Sequence, residues 1–185
     1  AMLRDLIDEE IGASLPQAAR EMFRVMLGML DELDQRIAEL DKEIARRARE
    51  DEVARRLMTI PGIGPIVATA IAALAPAAET FRRGRDFAAW LGLTPLQKST
   101  GGKTKLGRTS KMGERTLRRL LIIGSSSVVR QASRRGAPEG SWLAGMLARK
   151  PRMLVTVAQA NKTARIIWAL LTKKEDYKAP VAASA

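Results

Sequence analysis

The chain has 185 residues, with 32 Lys and Arg against 20 Asp and Glu, a formal net charge of +12, and neither cysteine nor histidine. Disulfides, zinc fingers, thiol nucleophiles and imidazole general bases are thereby excluded within it, and aromatics at 4% argue against a broad stacking platform for single-stranded bases. No apolar run approaches the ~18 residues that span a bilayer, no signal peptide opens the sequence, and a basic, cysteine-free chain suits the cytosol.

The charge is unevenly spread. Residues 1–56 carry 10 basic and 14 acidic side chains, whereas residues 57–185 carry 22 basic and 6 acidic ones. A step from a net −4 to a net +16 implies two modules, the second suited to a polyanion and most simply to nucleic acid. The rival partner, an acidic membrane surface, normally needs a basic amphipathic helix with exposed bulky apolar residues.

Residues 1–15 read as an N-terminal segment or short helix. Over 16–56 the sequence predicts one long helix entered at Pro16. Phe23, Met26, Leu30, Leu33, Ile37, Leu40 and Ile44 alternate spacings of three and four between charged flanks. Such a narrow seam fits a coiled coil, within the chain or between copies, better than a helix packed on its own domain. Next comes Leu57-Met58-Thr59-Ile60-Pro61-Gly62-Ile63-Gly64-Pro65, running into an alanine-rich helix. The stretch 57–72 resembles the helix-hairpin-helix motif of DNA repair proteins and ligases. Gly62 and Gly64 would let backbone approach a phosphate, and the following helix would offer its unpaired first-turn amides, with Ile60, Ile63 and Val67 fixing the turn. A plain turn between two core helices is the competing reading. Arg82, Arg83 and Arg85 follow, then a short helix 86–91 closed by Gly92, with Trp90 in the core.

Between 93 and 112 no period supports a helix, and glycines at 101, 102 and 107 suggest a flexible or tightly turned loop. From Lys98 to Arg119 there are eight basic residues, Lys98, Lys103, Lys105, Arg108, Lys111, Arg115, Arg118 and Arg119, against one acid, Glu114. Lys111, Arg115, Arg118 and Arg119 are expected on one face of the next helix, with Leu117, Leu120, Leu121, Gly124 and Val128 opposite. Beyond a loop around 134–140, Ser141 should cap a helix ending at Arg149, and a last helix should run from Arg152 to about Lys174. Asn161 borders its apolar stripe, either satisfying a buried backbone group or placing the basic loop. Trp142 and Trp168 read as core, Tyr177 as part of a polar tail, and residues 179–185 as disordered. Almost no alternating β-branched run occurs, so the expected fold is all-α: a long coiled-coil helix, then a compact helical domain over 57–178.

The run IPGIG, then F…F..WLGLTP, STGGK, LGRTSKMGERTLRRLLI and ANKTARIIWALL resembles the C-terminal domain of the DEDD-type insertion-sequence transposases, relatives of the Piv/MooV DNA invertases. The likeness covers nearly all of 57–178, and residues 16–56 resemble the family's coiled-coil linker. It implies a bacterial, cytoplasmic, nucleoid-associated recombinase acting on DNA, guided in some relatives by a structured RNA, and a homo-oligomer through the coiled coil. It implies further that a RuvC-like domain holding Mg2+ on four acidic residues lies outside this sequence, with Ala1-Met2 a cloning scar. The fragment alone would then bind DNA without recombining it and would carry no metal site. Ser99, before Gly101-Gly102, matches the family's proposed nucleophile, with Lys103, Arg115 and Arg118 as candidates to stabilise the phosphoryl group. Thr100 and Ser110 are its nearest competitors. The alternative is a non-catalytic architectural DNA-binding module.

Overall fold

The structure, a computed structural model, describes residues 15–98, 102–103 and 105–179. It is mostly helical and divides into two compact units, residues 1–44 and 45–185.

Helix α1 spans Gln17–Glu50 and belongs to the first unit up to Ile44. It begins one residue after Pro16, where a missing amide proton costs a helix nothing. Along it Phe23, Met26, Leu30, Leu33, Ile37 and Leu40 are all exposed. Ion pairs such as Arg36–Glu32 at 2.6 Å decorate the flanks, each worth at most a few tenths of a kcal/mol at about this exposure. The helix does not continue to residue 56 as expected. Asp51 breaks it and caps the next, its carboxylate accepting from the Ala54 amide at 2.6 Å. Local capping wins there over the uniform helical propensity of the polar run Arg46–Arg56.

The second unit is assembled around that new start. Helix α2 (Glu52–Met58) turns through Thr59–Gly64 into α3 (Pro65–Leu74), and the two pack together. Ile60, Ile63 and Val67 are buried as expected and hold the turn to the core. A single 3-10 turn at Ala78–Thr80 precedes α4 (Gly84–Trp90), whose end is closed by Gly92 at φ +69. Then α5 (Arg115–Arg135), α6 (Trp142–Arg149) and α7 (Arg152–Lys173) complete the unit. As the sequence suggested, the Ser141 hydroxyl caps α6, accepting from the Ala144 amide at 3.2 Å.

The core lies where α7 packs against α4 and α5. Leu57, Ile71, Phe87, Leu91, Leu117, Leu121 and Ile167 are essentially fully buried, each contributing roughly 1.5–3 kcal/mol of transfer free energy. Phe87 stacks on Trp90 with ring centroids 5.7 Å apart and meets Phe81 edge-on at 5.2 Å. Gly84 lets α4 press on α7, because a β-carbon there would stand 3.1 Å from both Arg165 O and the Trp168 ring. Trp168 is half-buried and donates its indole N–H towards Ala78 O and Phe81 O, at 3.0 and 3.2 Å. Tyr177 is no free tail residue. Its ring packs against the core and its amide donates to Thr59 Oγ1 at 2.9 Å.

One element departs from the all-α expectation. Pro95–Gln97 (β1) and Leu106–Thr109 (β2) form an antiparallel hairpin with an irregular register, Pro95 opposite Thr109 and Gln97 opposite Leu106.

Candidate nucleic-acid interface

The hairpin belongs to an excursion that leaves the helical core at Gly92 and rejoins it at Gly113. Its base is pinned by a ladder of backbone bonds: the Ser110 amide to Thr94 O at 2.9 Å, Lys111 to Gly92 O at 3.1 Å, and Glu114 to Trp90 O at 3.2 Å. Two side chains reinforce the ladder from the helices. Asn161 on α7 donates to Leu93 O at 3.1 Å, which is the backbone-satisfying role foreseen for it. Arg118 on α5 reaches Leu91 O at 3.1 Å and Met112 O at 3.4 Å through one guanidinium nitrogen.

Against this frame the expected site residues sort into three groups. Ser99, together with Thr100, Gly101 and Thr104, lies outside the described residues. Lys98 and Lys105 are brought side by side, the Lys98 amide donating to Lys105 O at 2.8 Å, and both are exposed. Lys103, Arg108, Lys111, Arg115 and Arg119 are exposed as well. Lys111, however, is not on a helix. It sits at φ +55 before α5 begins, so the expected cationic helical face contains Arg115 and Arg119 without it. Arg118 leaves that face too, half-buried and bonded to two carbonyls.

This difference is testable. Arg118→Met should cost about 1.5–3 kcal/mol, the range for hydrogen bonds made by a charged group, while Arg119→Met should stay within about 0.5 kcal/mol. Paired thermal melts of the two variants check it, and similar midpoints would show that Arg118 does not brace the excursion.

Gly62 and Gly64 form the third group and stand apart from the hairpin. Gly62, at φ +85, packs against Gly124 in the middle of α5. Gly124 lies nine residues beyond Arg115, hence about 13.5 Å along the helix and about half a turn around it. The glycine turn and the Arg115 side therefore occupy opposite faces of α5. Gly64 is the residue before α3, and no atom stands within 4 Å of where its β-carbon would be. That side of the turn is open, whereas the Gly62 side is packed.

A cleft of about 1370 Å3 lies between the hairpin, the start of α4 and helices α6 and α7. Six cations line it: Arg83, Arg85, Arg108, Lys111, Lys162 and Arg165. The sequence reading gave a binding role to Arg108 and Lys111, noted Arg83 and Arg85 without assigning one, and passed over Lys162 and Arg165, whose signal was their i, i+3 spacing on the polar side of α7. It also placed Trp142 in the core, yet this residue is 40% exposed in the cleft, with Lys162 Nζ 4.6 Å from its ring centroid. Helix α6 has only eight residues and buries none of them fully, so a bulky residue at its first position has nothing to be buried under.

Among the described residues no three acidic side chains come together in a way that would hold a metal ion. Nor, among the described residues, is any helix long and apolar enough to cross a membrane.

A helical domain carrying a pinned cationic hairpin is thus the class of structure in hand, and comparison with known proteins makes it more particular. Residues 54–138 match the model of the Transposase IS116/IS110/IS902 family. A "Probable family 20 transposase" of Pseudomonas aeruginosa is 47% identical over 166 residues, covering 90% of this chain and 49% of that protein. The transposase for insertion sequence element IS1328 of Yersinia enterocolitica is 38% identical, over 76% of this chain and 42% of that protein. The transposase for insertion sequence element IS1111A of Coxiella burnetii is 36% identical, over 85% and 44%. Residues 54–138 are thus similar to a stretch of the IS116/IS110/IS902 transposase family, and the chain spans about half or less of the length of these relatives.

Proposed function

We propose that this chain is the DNA-engaging part of a transposase that contributes Ser99 as the nucleophile for strand exchange. The observation that carries the reading is the excursion between Gly92 and Gly113. Its base is held by backbone and side-chain bonds to the helical core, and it bears Lys98, Lys103, Lys105, Arg108 and Lys111 with no acidic residue. A segment fixed at its base and cationic along its length is suited to hold a phosphodiester beside a hydroxyl. The Ser99 oxygen would attack phosphorus, forming a phosphoserine ester as the bond to the departing deoxyribose oxygen breaks, with the serine proton ending on that oxygen to leave a free hydroxyl. The bond energy is thereby conserved for rejoining. Lys103, Arg115 and Arg118 are the candidates to stabilise charge on the transferring group, Arg118 with one guanidinium nitrogen already committed to the carbonyls of Leu91 and Met112.

Two further contacts complete the reading. The 57–72 turn acts as a helix-hairpin-helix, offering Gly64 and the first-turn amides of α3 to a second phosphate, with Gly62 serving packing. The exposed seam of α1 pairs with a like helix in a coiled coil and so joins copies.

The test has two parts. Duplex-DNA affinity of this chain, measured from about 50 to 200 mM salt, should fall by about 10³ or more if six or more phosphates are neutralised, and the combined variant K98A/K105A/R108A should flatten the log–log slope by about 0.9 per lost contact. In a full-length protein Ser99→Ala should abolish strand exchange and leave DNA binding unchanged. Intact exchange by that variant would remove the nucleophile and leave the architectural module as the better account.

A further inference from the structure

We propose that the cleft between the hairpin and helices α6–α7 is a binding groove for unpaired DNA, taking bases on its apolar floor and phosphates on its rim. The inference rests on the reading that this chain engages DNA and deepens it by naming the form of DNA. Three observations point to that occupant. First, six cations and, among the described residues that line the cleft, no acidic side chain surround it. A neutral or acidic-free ligand would leave that charge unused, whereas a phosphodiester chain matches it.

Second, the floor between the cations is apolar and open: Met153 and Leu154 are 68% and 52% exposed, beside Val157 and Ile166. A duplex keeps its bases stacked inside and shows a protein wall mainly phosphate and sugar, so it has little to place on such a floor. An unpaired strand has free base faces. Third, Trp142 stands at the edge of that floor with its ring partly uncovered and a lysine ammonium against it. Cationic groove plus aromatic face is the arrangement by which single strands are held without sequence readout. A base stacking on the indole would displace Lys162 from the ring towards the adjoining phosphate. At about 1370 Å3 the cleft exceeds the ~300–1,000 Å3 of sites built for one small molecule, and accommodates more than a single nucleotide.

The groove borders the hairpin directly, since Pro95, Gly107 and Arg108 are shared by both. A strand detached from its complement during exchange therefore has a resting place next to the segment that carries Ser99 in sequence.

The experiment uses the 185-residue chain and four fluorescein-labelled probes of equal length: oligo(dT), an all-abasic strand, oligo(U) and a DNA duplex. Oligo(dT) is expected to bind at least tenfold more tightly than the abasic strand and to quench tryptophan emission. Trp142→Ala should weaken oligo(dT) about tenfold, with duplex and abasic affinities within twofold, while Trp142→Phe keeps most of the affinity and loses the quenching. Lys162→Ala and Arg165→Ala, on the rim, should weaken oligo(dT) and the abasic strand alike. Equal affinity for oligo(dT) and the abasic strand would overturn the proposal, and so would an equal loss on all probes in Trp142→Ala. A tenfold preference for oligo(U) would overturn the assignment to DNA. If duplex binding with its salt dependence survives any of these results, only the groove is refuted. If no probe binds, the DNA-engaging function falls with it.

Discussion

Gly113→Ala is expected to be the most damaging single-atom change in the domain, lowering stability by roughly 3–5 kcal/mol. Gly113 sits at φ +91, where a β-carbon is strained in any surroundings, and here that carbon would also overlap the carbonyl oxygen of Trp90. Neither partner can move away cheaply. Trp90 O already accepts from the Glu114 amide and belongs to the end of α4, and Glu114 in turn caps α5 through a 2.7 Å bond from the Thr116 amide. Thermal unfolding of a domain this size falls by about 2–4 °C for each kcal/mol, so a drop of about 10 °C or failure to fold is the expected result. Gly102→Ala is the control. It too has a positive φ, +75, but no atom lies within 4 Å of its would-be β-carbon, so about 1 kcal/mol or less should be lost. Equal losses at the two positions would mean that φ strain alone matters and that the pinned base does not.

Gly124→Val is the second large effect, and it bears on what the glycine turn is for. Gly124 is a helix-interior residue, where glycine is ordinarily a cost of about 0.5–1 kcal/mol against alanine. Its presence is explained by Gly62, whose carbonyl occupies the space that a Gly124 side chain would need. The fit is reciprocal, since a β-carbon on Gly62 would come within 2.7 Å of the Val128 side chain and 2.8 Å of Gly124 O. Valine at 124 must therefore push the α2–α3 turn off α5, with an expected loss of about 3 kcal/mol or more. Gly64→Ala provides the contrast, because its β-carbon enters open space: stability should hold within about 1 kcal/mol while duplex affinity drops. Melts and binding curves on both variants separate packing from phosphate contact. A Gly124→Val protein as stable as the parent would refute the interlocked turn, and unchanged affinity in Gly64→Ala would refute the phosphate role.

What could be read from the sequence and what could not divide along a physical line. Strong local signals translated directly: Pro16 ahead of α1, Ser141 and Pro151 around α6 and α7, Gly92 after α4, and the buried trio Ile60, Ile63 and Val67. Even Asn161 was legible, because a polar residue beside an apolar stripe needs a partner. The hairpin was not. Its strands have three and four residues, contain Gly107 and expose most of their side chains, so no alternation marks them. The break at Asp51 was hidden within a run of charged residues that would each tolerate a helix. It matters for experiment, because Ala48, Ala54 and Leu57 are wholly buried in the second unit, and a truncation at residue 57 would remove part of that core. Arg118 illustrates the limit for the site itself. In sequence it is one more cation in a row, and only tertiary bonds to Leu91 and Met112 distinguish it from Arg119.

The pinned base of the excursion has a consequence for how such a protein changes over evolutionary time. The segment departs and returns through residues already hydrogen-bonded to each other, so its closure does not depend on how many residues join its two strands. Lengthening a loop closed in this way costs only about 0.6 kcal/mol for each doubling. Insertions, deletions and exchanges of residues at its far end are thus nearly free of folding penalty, while mutation at Gly92, Gly113 or Arg118 is not. Selection on the chemistry and selection on the fold act here on separate stretches of the same chain. New specificities have a place to arise in which a failed trial does not unfold the protein.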